Sequence, residues 1–404
     1  MQPNNRKSRG FNPSSISLAT LRERAYNYRW AEVEEGVIPL TAADPDFPVA
    51  KEITDAVRNY IKPGVFSYGP PEGLPFFREA ISDWYLKTKH VTFHPSLILP
   101  VNSAAFGLFL AAMSILSKGD KAIILEPVDF LFRKAIENAG AEVITSRLDK
   151  ETGEIDEAEI RSLVSPEVKA IFLCNPNNPL GKTMTTADLL TLGKIALEHN
   201  LYIVSDEIWA DISFDLNFRS IASVCDFIGE KIITVSGLSK NFGLAGLRIG
   251  YVAVSDPALY KVIYLASKAS STAYGISTLS QVAGTAALNK GGKWLDDFLI
   301  HLKEMRAYVE QRIENIPSLE SNHPDSTYLF FPKLRNTSLS SHEMCDYLLK
   351  KARVALVPGG KNWFEDSSEG YVRICYATSQ PILREAFDKI EEALAQQHNF
   401  HAPV

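Results

Sequence analysis

Short β-branched runs alternate with stretches of helical period through the middle of the chain. From about Ser96 onward the pattern predicts strands at Leu97–Leu99, Ala122–Leu125, Glu142–Thr145, Ala170–Leu173, Leu201–Val204, Ile232–Val235 and Ile249–Val254. Between them lie helix-period segments at Ala104–Leu116, Leu131–Ala139, Ile155–Leu163 and Ala187–Glu198. Apolar runs of this length, separated by helices, imply a mostly parallel sheet covered on both faces. Chemistry then belongs in the loops at the carboxyl ends of the strands.

The flanks read differently. Residues 1–30 are polar and predict an extended arm. Order begins near Trp30 and is followed by the proline-broken loop Thr41–Val49, a helix at Ala50–Ile61, the Gly/Pro loop Gly64–Leu74 around Tyr68, and a helix at Phe76–Lys87. Past Ala266 the period is helical, with Leu279–Leu288 and then a long run, Trp294–Ile316. Short strands (Thr327–Phe331, Tyr371–Cys375) and helices (Ser341–Lys351, Pro381–Ala395) make the remainder a smaller α+β lobe. The division expected is 1–45 for an arm and part of the small domain, 46–290 for the large domain, and 291–404 for the small one.

Composition narrows the class. At 404 residues the chain is long for one core, and 46% hydrophobic with 22% charged residues is ordinary for a globular enzyme. A net charge of −6 without a basic run argues against nucleic acid as a partner. The start, MQPNNRKSRG, lacks a signal-peptide core, and no apolar run has membrane-span length. Cys174, Cys225, Cys345 and Cys375 lack CxxC spacing and read as reduced thiols of a cytoplasmic protein. The histidines form no HExxH-type pair, so no metal is expected.

The stretch Ser236–Gly250, SGLSKNFGLAGLRIG, carries the chemistry. It sets Lys240 among small residues just after a strand, with Arg248 downstream. A tight turn there holds a lysine amine partly desolvated, which lowers its pKa, and a nearby fixed cation suits a phosphate. Taken alone, Lys240 reads as a surface lysine and Asp206 as a turn or cap residue. Together, Asn178, Asp206 and Lys240 each follow a predicted strand. An aromatic aldehyde held by a lysine needs an acid at its ring nitrogen, a donor at its phenolic oxygen and cations around its phosphate. That is the requirement of pyridoxal 5′-phosphate (PLP).

The order NPNNPLG, SDEIW, SGLSKNFGLAGLRIG and YVRICYA resembles the class I/II aminotransferases, the fold-type I PLP enzymes, from about Leu40 to Ala377. The resemblance implies a large domain with a seven-stranded mixed, mostly parallel sheet, a small domain, and a homodimer with active sites between subunits. It makes Lys240 the Schiff-base lysine and proton carrier, Asp206 the partner of the pyridine nitrogen, and Asn178 the residue on the phenolic oxygen. Arg248 and Ser239, with Ser236 as a third, match phosphate ligands. Ser103, Ala104 and Ala105 open a helix whose free N–H groups suit an anion. Tyr68 matches a tyrosine that reaches the neighbouring subunit's cofactor. Arg373 matches the arginine that clamps a substrate α-carboxylate, with an inter-lobe salt bridge as its alternative. The substrates implied are an α-amino acid and a 2-oxo acid.

Two positions depart from the common pattern. Trp209 stands where many relatives have a tyrosine, and an indole N–H donates but does not accept. Asp129, in EPVDFLF, stands where an aromatic ring usually stacks on the cofactor, leaving Phe130 or Phe132 for that role or a different neighbour altogether. ADPDFP and GVFSYGPPEGL also resemble the C–S β-lyase branch, in which a β-thiolate is expelled; transamination is the main expectation. The stretch Ser267–Gln281 carries no arginine where dicarboxylate-specific relatives have one, which favours a neutral or aromatic substrate side chain. Arg29 and Trp30 are expected near the substrate pocket.

Overall fold

The computed structural model describes residues 11–214, 218–271 and 275–400. Its centre is one sheet built from β1 (Ile98–Val101), β2 (Lys121–Glu126), β3 (Glu142–Arg147), β4 (Val168–Cys174), β5 (Tyr202–Asp206), β6 (Ile232–Gly237) and β7 (Gly250–Ala253). The order across the sheet is β1-β7-β6-β5-β4-β2-β3. Every neighbouring pair is parallel except the two made by β7, which runs against both β1 and β6. β4 and β6 are buried along nearly their whole length, as the unbroken apolar runs require.

Reversal of β7 has a functional consequence. The parallel strands end at one edge of the sheet, and β7 begins at that edge. Loops after β1, β2, β4, β5 and β6 therefore lie at the edge of the sheet where β7 begins.

Helix Ala104–Ile115 follows β1 and packs on β6 and β7. A second set of short strands lies apart from the main sheet. Val372–Cys375 sits between Leu329–Phe330 and Val357–Pro358, antiparallel to both, and places Arg373 opposite Val357. Ile38–Pro39 pairs in parallel with Val354–Ala355, so the N-terminal segment is stitched to the C-terminal part of the chain. Helices Ser341–Lys351 and Gln380–Phe400 pack on Val354–Ala355, and Gly292–Glu314 packs on Gln380–Phe400.

One expectation is corrected, and one element was not expected. The arm is not extended throughout, because Leu18–Arg24 is helical and the Ser17 hydroxyl accepts from the Thr20 N–H at its start. Phe11 is buried against Phe298, with ring centres 5.1 Å apart, so the arm is docked; residues 1–10 lie outside the described residues. No element is expected between Val254 and Ala266, where helix Pro257–Ser267 lies. Its signal was local: the Asp256 carboxylate accepts from the Ala258 and Leu259 N–H groups, and Pro257 opens the first turn. Among the described residues no helix is long and apolar enough to cross a membrane, and all four cysteines are free and buried.

Candidate active site

Register brings the expected groups to one edge. Asp206 closes β5, opposite Cys174 on β4 and Val235 on β6, so the loops carrying Asn178 and Lys240 flank it. Lys240 is half-buried; its Nζ donates to the Ala43 carbonyl at 2.8 Å and lies 5.5 Å from the centre of the Trp209 ring. Burial pulls this amine below the ordinary lysine value, with Asp44 opposing and Arg373 adding to the shift. Asp206 is buried, and its Oδ1 accepts from the Ile208 N–H at 3.0 Å. Burial pushes its carboxyl up to about 7 against that hydrogen bond, and the charges of Asp129 and Glu207 push further. A buried acid of this kind suits a protonated ring nitrogen, whose charge replaces the lost water.

The anion end is made where β7 enters the sheet. Gly250 pairs with Val101 and with Gly237. A Cβ on Gly250 would stand 2.3 Å from the Ser103 carbonyl carbon and 2.5 Å from the Ala104 nitrogen, so only glycine lets β7 lie against the helix start. The Ser103 hydroxyl accepts from the Phe106 N–H at 3.1 Å, while the Ala104 and Ala105 amides have no partner within the helix. Arg248 immediately precedes this strand region in the left-handed conformation (φ 53°) and is exposed. Its guanidinium makes no hydrogen bond or ion pair among the described residues. Ser239 is half-buried beside Lys240. Ser236 faces elsewhere: its hydroxyl donates to the Glu207 carbonyl at 3.1 Å.

Arg373 supplies the opposite end. It is buried over the Phe364 ring, at 5.1 Å, and its Nη2 donates to the Thr41 carbonyl at 3.1 Å. Nη1 donates to Asn178 Oδ1 at 3.0 Å, and Asn178 Nδ2 donates to Asp129 Oδ2 at 3.1 Å. The Arg373 Nε–H is buried without a hydrogen-bond partner among the described residues. An orphaned guanidinium N–H of this kind fits an anionic ligand.

The other expected residues lie as follows. Trp209 is buried edge-to-face on Tyr328, at 4.7 Å and 74°, and forms a wall beside Lys240. Tyr68 is 90% exposed on this chain. Phe130 meets Trp363 edge-on at 6.1 Å with the Lys134 ammonium 4.7 Å from its ring, and Phe132 is buried in the core. Trp30 is buried and donates from Nε1 to Asp46 at 2.8 Å; Arg29 is ion-paired to the same carboxylate. Both support the Thr41–Val49 loop from beneath instead of standing free in the pocket. That loop is what sequence reading missed. The Ala43 carbonyl accepts from Lys240 and, at 3.2 Å, from the Tyr328 hydroxyl, and Asp44 faces Lys240. The paired acids of ADPDFP were the available signal. Of the stretch Ser267–Gln281, residues 272–274 lie outside the described residues.

Comparison with known proteins identifies the family. The family profile "aminotransferase class I and II" matches residues 35–390. An aspartate aminotransferase of Pyrococcus horikoshii is 31% identical over 89% of this chain and 91% of its own length. The cystathionine beta-lyase PatB of Bacillus subtilis is 28% identical over 89% of this chain and 92% of its own. Among solved structures, a PLP-bound putative aminotransferase from Clostridium difficile superposes with a TM-score of 0.88 at 29% identity, covering 95% of this chain and all of the other. With its fold-type I architecture and a site suited to pyridoxal 5′-phosphate, the chain belongs to the aminotransferase class I and II family and is a PLP-dependent aminotransferase.

Proposed function

We propose that Lys240 is the residue that holds PLP and carries the proton, that Asp206 partners the ring nitrogen, and that Arg373 receives the α-carboxylate of an amino acid or 2-oxo acid. The convergence of Lys240, Asp206, Asn178 and Arg373 at one sheet edge carries this reading. PLP, when bound, supplies an aldehyde that takes up the amino group and a ring that accepts the electron pair released at Cα. The protein's own groups do the rest. The Lys240 amine, held below the ordinary lysine value by burial, is the group that accepts and returns the proton. The Asp206 carboxylate keeps a positive charge on the ring nitrogen favourable. Ser103, Ala104, Ala105, Ser239 and Arg248 would hold the phosphate, and Asn178 would donate to the phenolic oxygen. Trp209, Tyr328 and Phe364, all buried, keep water from the reacting bonds.

The chain acts as a homodimer in this reading. Tyr68 is 90% exposed beside Val65 and Phe66 at 64% and 65%, a set of large side chains suited to a partner's surface. Tyr68 then completes the phosphate site of the partner subunit. The substrate side chain is neutral or aromatic, because Ser267–Gln281 has no arginine for a second carboxylate.

A half-reaction screen tests the proposal. Single amino acids are added to the PLP-loaded protein, and the cofactor is followed from its aldehyde to its amine form. Conversion by a neutral or aromatic amino acid, reversed by the matching 2-oxo acid, is the expected result. Release of pyruvate and ammonia from a cysteine conjugate without amine-form build-up would replace transamination by the β-elimination for which the PatB relative is named.

A further inference from the structure

Asp129 follows β2 at the position where an aromatic ring is expected, and it is tied into the site by polar contacts. Its Oδ1 accepts from the Leu131 N–H at 3.1 Å, and its Oδ2 accepts from Asn178 Nδ2 at 3.1 Å. Asn178 Oδ1 in turn accepts from Arg373 Nη1 at 3.0 Å, and Arg373 Nη2 ends the chain on the Thr41 carbonyl at 3.1 Å. No ring from the same segment replaces the missing aromatic: Phe130 is against Trp363 and Phe132 is in the core.

A primary amide has a donor end and an acceptor end of nearly equal shape, so its neighbours decide its orientation. At Asn178 both neighbours are ionisable and they agree. A flipped amide would set NH2 against the guanidinium and its oxygen against the carboxylate, losing a charge-assisted hydrogen bond at each end. Arg373 alone fixes the amide from one side, and Asp129 makes the fixation two-sided.

We propose that Asp129 is a positioning residue: by holding the Asn178 amide nitrogen it keeps the amide oxygen on Arg373, so that the guanidinium offers its remaining N–H groups to an incoming carboxylate in one fixed plane. This rests on the reading of Arg373 as the carboxylate clamp. The hydrogen bonds that link Asp129 to the clamp run through Asn178, and its charge also faces Arg373.

The test uses PLP-loaded wild-type protein, Asp129→Asn, Asp129→Leu and Asn178→Ala, with propanoate, pentanoate and 3-phenylpropanoate as unreactive carboxylates titrated at the cofactor absorbance band. Asp129→Asn still accepts from Asn178 and should bind within about three-fold of wild type. Asp129→Leu cannot, and should bind about ten-fold more weakly, the scale of a lost hydrogen bond to a charged group. In the Asn178→Ala background the leucine change should add less than about three-fold, because the residue acts through the amide. The pH midpoint of the cofactor band should fall in both Asp129 variants, since each removes a negative charge facing Lys240; a space-filling residue would not move it. Asp129→Ser, too short to reach Nδ2, serves the same purpose should the leucine variant not fold. Wild-type affinity in Asp129→Leu, an equal loss in Asp129→Asn, an unmoved midpoint, or a full ten-fold loss without Asn178 would each overturn the proposal. Failure of wild-type protein to take up PLP, or to bind any carboxylate at Arg373, would instead overturn the functional reading beneath it.

Discussion

At the scale of single residues the site is a set of buried charges only partly balanced by one another. Arg373 spends one N–H on Asn178 and one on Thr41 and leaves Nε unpaired, so a planar carboxylate has a fixed fork to meet. Arg373→Lys replaces that fork by a point charge on a flexible stem. Steady-state kinetics should show KM for the amino acid raised about ten- to a hundred-fold, with PLP retention on dialysis unchanged. Equal KM values would remove Arg373 from the clamp. Lys240, Asp206 and Asn178 could be singled out in the sequence because each follows a predicted strand, and Arg373 because YVRICYA resembles the family's pattern. The Ala43 and Thr41 carbonyls were not, since a backbone acceptor leaves no side-chain signature. Trp30 was expected near the substrate pocket; its N–H is taken by Asp46.

At the scale of elements, the close approach of β7 to the helix after β1 shapes the anion end. Gly250→Ala would drive a methyl into the Ser103–Ala104 backbone, 2.3 Å away, which has no side-chain freedom with which to yield. The expected cost is about 1–3 kcal/mol in denaturant unfolding, together with weaker PLP binding as the helix start moves. Gly246→Ala is the control: nothing lies within 4 Å of its added Cβ, and it should be neutral or slightly stabilising. If both variants behave alike, the packing argument fails. Alternation of β-branched and helical segments made the sheet and its covering helices readable. Strand order and the reversed β7 were not, because a strand's direction is decided by its partners and leaves no mark in its own residues. Helix Pro257–Ser267 was lost for a related reason: its short apolar stripe follows directly on β7, and only the Asp256-Pro257 start separates the two.

For the whole molecule, the site's charges make stability depend on pH and on the cofactor. Asp206 and Glu207 are both pushed up to about 7, chiefly by burial, whereas unfolded carboxylates titrate near 4. Between those values the folded chain binds more protons than the unfolded one, so stability present below about pH 4 is lost progressively as pH rises through about 7. Thermal unfolding of PLP-free protein should therefore show Tm falling from pH 5 to pH 8. PLP should flatten that slope, because a protonated ring nitrogen gives Asp206 a partner in its charged form. A PLP-free Tm that rises over this range would contradict the assigned burial. The most direct measurement for the account as a whole is chemical. Protein incubated with PLP is reduced with borohydride, digested and mapped by mass spectrometry. A single pyridoxyl group on the peptide containing Lys240 is the predicted result; a label on another lysine, or none, would contradict it.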